Sequence, residues 1–311
     1  MVFFLFFEQR YLHGDAGTLT LKCKSRIERR KESDMDIRLV ALDLDGTTMN
    51  SDNRLSDYNR KSLEAAVQAG IQVVVASGRA FDALPKEVLA IPGLQYAISS
   101  NGAHITDLTT GKFIYSSYIT PTTVDRAIDL AVKEHLMVEA FCHGKPYISE
   151  ALYEDIRVNG SVYRNKEYVV TTRTPIPDIF GFMRENREIL ENINFFFYGD
   201  DRLKEMRPRI QALPDCNVVS SVKNNIEIGG INSSKAHALE ILSRKLEIPR
   251  EGIMSFGDAG NDIPMIRYAG MGVAVGNAWD DVKAAADYVA ESNDEDGVGR
   301  TIRRFALGEK L

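Results

Sequence analysis

The chain has 311 residues, 44% hydrophobic and 26% charged, with a formal net charge of -6, a balance that excludes disordered, collagen-like and disulfide-scaffold proteins. At roughly 100–200 residues per domain it fits two domains, each with its own core. It has no long basic run to bind nucleic acid and no run near the roughly 18 apolar residues of a membrane helix, and its three cysteines, Cys23, Cys142 and Cys216, form no CxxC pair.

A cytoplasmic protein without membrane or nucleic-acid partners is therefore expected. Residues 1–34 open with the short apolar run Val2–Phe7 and pass into a mixed charged stretch, Lys22 to Asp34, with no sustained period. They read as a poorly ordered N-terminal extension, dispensable for function, that ends where Met35 precedes a strong strand. From Ile37 to Leu44 nearly every residue is apolar, and the chain then turns into Asp45-Gly46-Thr47, as a buried parallel strand ending at a loop would. Ser56 can cap a helix running to about Ala69, with Leu63, Ala66 and Val67 inward and Gly70 just beyond its end. Ile71–Ala76 is a second buried strand ahead of Ser77-Gly78-Arg79, and Tyr96–Ser99 a third ahead of Asn101-Gly102-Ala103. Strand and helix alternate, which predicts an α/β fold with a doubly wound parallel sheet.

Between about Pro121 and Val222 the texture changes to helix Pro121–His135, strands near Met137–Cys142, Val162–Thr171 and Asn194–Tyr198, and helices Ile179–Glu191 and Leu203–Leu213. The first pattern then returns with strand Asn225–Ile228, helix Ser234–Leu246, strand Ile253–Phe256, helix Ile263–Tyr268 and strand Met271–Val275. The predicted division is a core of residues 35–120 and 223–311 interrupted by an α+β unit at 121–222.

Asp43-Leu44-Asp45-Gly46-Thr47 places two carboxylates at the carboxyl end of a parallel strand, where open α/β sheets hold their sites. If the strand continues, alternation puts Asp43 and Asp45 on one side, and acids so close repel unless a cation or shared proton offsets them. A hard, oxygen-preferring ion such as Mg2+ meets that need; a polar turn with a helix cap is the competing reading. Gly257-Asp258-Ala259-Gly260-Asn261-Asp262 repeats the arrangement after another apolar strand. Asp258 can complete a metal site and Asn261, with the first helical amides, can face an anion, although a helix-capping turn has the same composition. Ser77-Gly78 offers a hydroxyl and an unhindered amide to phosphate oxygens, a pair also common in plain turns. Lys235 begins an amphipathic helix, where the helix dipole disfavours a cation unless phosphate and the acids meet it; a solvated lysine is the alternative.

In this order the motifs resemble the haloacid dehalogenase superfamily, in particular its Cof-type phosphatases. Asn101-Gly102-Ala103, Gly276-Asn277-Ala278 and Glu295-Asp296-Gly297-Val298 add to the likeness, which covers nearly everything after Met35. The resemblance implies a Rossmann-like parallel-sheet core and an inserted α+β cap of type C2 (C2B) that closes over the site. It implies that Asp43 is the nucleophile that becomes an aspartyl-phosphate, and Asp45 the general acid and then base. It further implies that Asp43, the backbone carbonyl of Asp45 and Asp258 hold Mg2+ with Asp262 in support, and that Ser77, Gly78, Lys235 and Asn261 bind the transferring phosphoryl. The second aspartate favours ester hydrolysis, because dehalogenases and phosphonatases lack it and P-type ATPases carry threonine there. Thr48-Met49 after the first motif and Ala236 after the lysine depart from the common pattern, and they bear on substrate fit and helix entry. The implied activity is Mg2+-dependent hydrolysis of a small phosphorylated metabolite, a sugar phosphate or phosphorylated cofactor. The alternatives are a phosphotransferase or phosphomutase using the same intermediate, and a non-catalytic phosphate-ligand-binding regulator.

His104, His135, His143 and His237 share no ligand spacing and read as surface or packing residues. The run Phe195–Tyr198 reads as a buried strand and Trp279 as a packing anchor; Arg300, Arg303 and Arg304 read as the polar face of a last helix. His143, Lys145, Arg157 and Arg164 of the inserted unit are open to either a substrate or a solvated role.

Overall fold

The computed structural model describes residues 36–160 and 165–310, so the expected extension at 1–34 and Arg164 lie outside the described residues. The chain begins with β1 (Leu39–Leu42), α1 (Asp57–Gln68), β2 (Gln72–Ala76), α2 (Lys86–Leu89), β3 (Tyr96–Ser99), β4 (His104–Asp107) and β5 (Lys112–Ser116). It continues through α3 (Pro121–Glu134), β6 (Met137–Cys142), β7 (Lys145–Ser149), α4 (Glu150–Asn159), α5 (Lys166–Thr172), β8 (Thr174–Ile176), α6 (Ile179–Glu185) and β9 (Leu190–Phe196). Then follow α7 (Asp200–Gln211), β10 (Cys216–Val219), β11 (Asn225–Gly230), α8 (Lys235–Lys245), β12 (Ile253–Gly257), α9 (Ile263–Tyr268), β13 (Met271–Ala274), α10 (Asp280–Ala285), β14 (Tyr288–Val289) and α11 (Gly297–Thr301). Among the described residues no helix is long and apolar enough to cross a membrane.

The first sheet has the order β14-β13-β12-β1-β2-β3-β4-β5, parallel from β14 to β3 and antiparallel at β4 and β5. Every residue of β1 is buried, because helices cover both faces. The period of two sends Val40, Leu42, Val73 and Val75 towards Leu63 and Ala66 of α1. Leu39, Ala41, Val74 and Ala76 meet Leu239 and Leu242 of α8 on the other side. Ser56 caps α1 by accepting from the Asn59 amide at 3.0 Å, as its place in the sequence predicts.

The second sheet has the order β10-β11-β9-β6-β7-β8. One face is apolar: Val138, Ala140, Ile193, Phe195, Ile226 and Ile228 pack on α3, α6 and α7. On the other face, Glu139, Asn194 and Glu227 lie abreast across β6, β9 and β11, all buried. Buried polar side chains need partners, and these find them in part on the first sheet's loops.

Three sequence expectations change here. The strand at Asn225–Ile228, expected to open the return of the core, pairs antiparallel with β9 and β10 in the second sheet. Its alternation of Asn225 and Glu227 with Ile226 and Ile228 is that of a two-faced antiparallel strand, and the first unit resumes only past Gly230. A Cβ on Gly230 would lie 2.5 Å from the Tyr118 carbonyl oxygen, so the outgoing and returning crossings run side by side. Of the strand expected at Val162–Thr171, residues 166 onward form helix α5: Asn165 caps it by accepting from the Tyr168 amide, and tertiary packing overrides the β-branched run. The helix expected over Ile179–Glu191 stops at Glu185, because Leu190 already pairs with Cys142 in the sheet.

Candidate active site

At the end of β1 the backbone leaves the strand immediately. Gly46 takes φ 75°, and a Cβ there would come within 2.7 Å of Asp258 Oδ2, so both the turn and the close approach require glycine. Thr48 Oγ1 donates to the Asp43 carbonyl at 2.5 Å, and Thr47 Oγ1 to Asp258 Oδ1 at 2.8 Å, which lock the turn to the loop after β12. The strand that would put Asp43 and Asp45 on one side by alternation thus does not continue: Asp43 points to Lys235 and Asp45 to Arg79, although both line one cavity.

Lys235, the first residue of α8, is fully buried, and its Nζ lies 2.6 Å from Asp43 Oδ1 and 2.7 Å from Asp262 Oδ1. Burial opposes its charge, but the Asp262 and Asp43 carboxylates hold the ammonium above the usual lysine range. Asp262 Oδ2 accepts from the backbone amides of Asp258 and Ala259 at 3.0 and 3.1 Å, so this carboxylate anchors the cluster with both oxygens.

Asp43, Asp258 and Asp262 bring ligand oxygens within 4.8 Å of one another. Burial pushes the Asp43 carboxyl well above its ordinary value, against the pull of Lys235. Burial, with the charge of Asp262, pushes Asp258 up to about 7. Three carboxylates thus stand together with one ammonium, which bonds two of them, so the cluster carries more acidic than basic groups. An all-oxygen donor set of this kind fits a hard divalent cation such as Mg2+.

Asp45 stands at the rim, where its Oδ2 accepts from Arg79 Nε at 2.8 Å and its Oδ1 from Arg79 Nη2 at 2.5 Å. Burial opposes the charge of Arg79, while the hydrogen bonds and charge of Asp45 hold it firmly cationic. The Arg79 guanidinium also lies over the Tyr168 ring at 4.5 Å, and Arg173, paired with buried Glu139, contacts the same ring at 4.6 Å.

A cavity of about 210 Å³ opens on these groups, lined by Asp43, Asp45, Gly78, Asp258 and Asn261 from the first unit and by Asn165, Tyr168 and Ser221 from the second. Ser77 is buried and outside that lining, and its hydroxyl accepts from the Arg79 amide at 3.1 Å, closing its own turn. Asn261 Nδ2 donates to Asn101 Oδ1 at 2.9 Å. The structure thus gathers Asp43, Lys235, Asp258 and Asp262 tightly, with Gly78 and Asn261 beside them.

The described histidines stay apart from this cluster. His104 is buried against Phe113 and Glu191, while His135 and His143 occupy left-handed turns. Neither Lys145 nor Arg157 lines the cavity, and Arg157 pairs with Glu154. The sequence reading missed the Arg79–Asp45 pair, Tyr168 and Glu227. For Glu227 there was a signal: a lone carboxylate between Ile226 and Ile228, buried at 1% exposure, needs a partner.

The sequence pattern of haloacid dehalogenase-like hydrolases matches residues 40–302. The chain belongs to this family. The hydrolase is 31% identical over 281 residues to a 5-amino-6-(5-phospho-D-ribitylamino)uracil phosphatase of Bacillus subtilis, a match covering 89% of this chain and 99% of that one. A second Bacillus subtilis phosphatase is 31% identical over 287 residues, covering 86% and 100%. Among solved structures, a haloacid dehalogenase-like hydrolase from B. subtilis superposes with a TM-score of 0.73 at 29% identity, covering 86% of this chain and 99% of that one. The hydrolase is a Cof-type phosphatase with the family's Rossmann-like core and cap.

Proposed function

We propose that the protein is a Mg2+-dependent phosphatase that hydrolyses the phosphate monoester of a small metabolite, a sugar phosphate or phosphorylated cofactor, through an aspartyl-phosphate on Asp43. The observation that carries this reading is the buried cluster in which Lys235 joins Asp43 to Asp262 beside Asp258, with Asp45 held separately at the cavity rim. The ribityl phosphate named for the Bacillus subtilis relative belongs to the same chemical class of substrate.

In this mechanism an Asp43 carboxylate oxygen attacks phosphorus as the ester oxygen leaves, and Asp45 donates a proton to that oxygen. Asp45 then takes a proton from water as the water oxygen attacks phosphorus and releases Asp43 and inorganic phosphate. Lys235 favours the ionised, nucleophilic form of Asp43. Gly78, Ser77, Asn261 and Lys235 would surround the transferring phosphoryl, whose charge is the main thing such a site must stabilise. Mg2+ on Asp43, the Asp45 carbonyl and Asp258, with Asp262 in support, would supply the missing positive charge. Asn165, Tyr168 and Ser221 of the inserted unit form the polar wall that the leaving group would meet, so this unit selects the substrate.

The test is phosphate release from a panel of phosphorylated metabolites, with Mg2+ or with chelator, for the parent and Asp43→Asn. Release that requires both Mg2+ and Asp43 is expected. Release undiminished in Asp43→Asn would overturn the assigned nucleophile, and transfer to an added sugar in preference to water would move the reading to a phosphotransferase.

A further inference from the structure

The loop after β3 plays no part in the mechanism above, yet it is tightly constrained. Ser100, Asn101 and Gly102 have φ of 50°, 54° and 93°, and left-handed backbone at two consecutive non-glycine residues persists only where the surroundings hold it. Ser100 Oγ donates to Glu191 Oε2 at 2.7 Å, and Asn101 Nδ2 to Glu227 Oε2 at 2.7 Å. A Cβ on Gly102 would lie 2.2 Å from the Ser234 carbonyl oxygen, so the loop is pressed against the start of the helix that carries Lys235. Two carboxylates of the second sheet thus grip a loop of the first.

Glu227 accepts from four side chains, Asn101 and Asn192 on Oε2, Ser221 and Asn225 on Oε1. A carboxylate saturated in this way accepts and does not donate. It therefore dictates the orientation of the amides beyond it. Asn101 must turn its nitrogen to Glu227 and its carbonyl to Asn261, and Asn261 must answer with its nitrogen. What remains of the Asn261 amide is its second N–H and a buried carbonyl oxygen that has no hydrogen-bond partner among the described residues.

We propose that Glu227 is a positioning residue: acting through Asn101, it fixes which way round the Asn261 amide is held beside the transferring phosphoryl group. This rests on the phosphatase reading of the site. Glu227 stands on the second sheet and Asn261 after β12, so the donor pattern of the phosphate pocket is complete only when the inserted unit sits over it. Inverting the relay would exchange N–H and carbonyl at Asn261 and so change which of the two stands where the transferring phosphoryl is expected.

Glu227→Gln tests this, because a glutamine amide fits the relay in either sense. In Glu227→Gln the Kd for inorganic phosphate, measured by calorimetry with Mg2+, is expected to rise about ten-fold, and KM to rise more than kcat falls. The double variant Glu227→Gln with Asn101→Asp restores the polarity, since the new amide donates to the new carboxylate and that accepts from Asn261; it is expected to bind phosphate more tightly than Glu227→Gln. Should Glu227→Gln fail to fold, Asn101→Gly suits the left-handed backbone, leaves Glu227 its other donors, and is expected to weaken phosphate binding equally. The side-chain amide signals of Asn101 and Asn261 should shift in the nitrogen-15 spectrum of Glu227→Gln, with or without turnover. Phosphate affinity within about two-fold of the parent, a double variant no tighter than the single, or unmoved amide signals would each overturn the relay. A parent that releases no phosphate from any ester overturns the phosphatase reading instead, and the amide signals still decide the relay.

Discussion

Arg79 grips both carboxylate oxygens of Asp45 while the other side of the same guanidinium rests on Tyr168 of the inserted unit. A planar, two-pronged donor fixes the carboxylate in angle as well as position, which a lysine ammonium does not. Arg79→Ala is therefore expected to lower kcat by about two orders of magnitude, with Arg79→Lys between it and the parent. Mg2+ affinity, read by titration, should stay near the parent's in both. A parallel loss of Mg2+ affinity would show that Arg79 acts on the cation site.

Asp45→Asn should separate proton transfer from metal binding. The side chain faces Arg79, and the oxygen assigned to the metal belongs to the backbone. Turnover is expected to fall by about 100-fold or more while Mg2+ affinity is kept. Loss of Mg2+ binding in a folded Asp45→Asn protein would contradict the carbonyl assignment.

The carboxylate cluster predicts a pH dependence with a definite sign. Asp258 rises from about 4 in an unfolded chain to about 7 in the folded one, so the folded protein holds this proton more tightly. Its contribution to stability is present below about pH 4 and is lost as the pH climbs towards about 7. In chelator, Asp258→Asn, which mimics the protonated acid, should match the parent's Tm near the acid end and exceed it by a few degrees near neutrality. Excess Mg2+ should remove that advantage by stabilising only the parent. A Tm difference that ignores pH would show that folding leaves the proton affinity of Asp258 unchanged.

Glu139 and Arg173 form an ion pair at 2.9 Å with side-chain exposures of 0% and 1%. Glu139→Gln leaves a buried guanidinium without its counter-charge and is expected to cost about 3 kcal/mol in urea unfolding. Replacing both residues together by Met and Leu should cost less, because no unpaired charge remains. Since Arg173 also backs Tyr168, Glu139→Gln should raise KM in molecules that remain folded.

Much of the carboxylate cluster was legible in the sequence because parallel strands announce themselves. The apolar run up to Leu42 ends in Asp43, and Ile253–Phe256 ends before Asp258, so both strand ends could be read without coordinates. Lys235 was legible through the dipole it opposes. What escaped depends on turns and on distant partners. Asp43 and Asp45 part company because Gly46 turns the backbone, which a rule of strand alternation does not include. Arg79 reaches Asp45 across 34 residues and Glu227 reaches Asn101 across 126, and no local period encodes such meetings. The Asn225–Ile228 strand was assigned to the wrong sheet for the same reason: its buried polar edge makes sense only once Asn101 and Ser221 are seen against it.

The face of the second sheet opposite α3, α6 and α7 mixes polar and apolar groups: Glu139, Asn194 and Glu227 share it with buried Phe141, Ile148 and Phe196. Where Glu191 and Glu227 meet the loop after β3, separating the two layers exchanges hydrogen bonds within the protein for bonds to solvent, at a small net difference for each. At that contact the seam between the two sheets is one that water itself is able to wet.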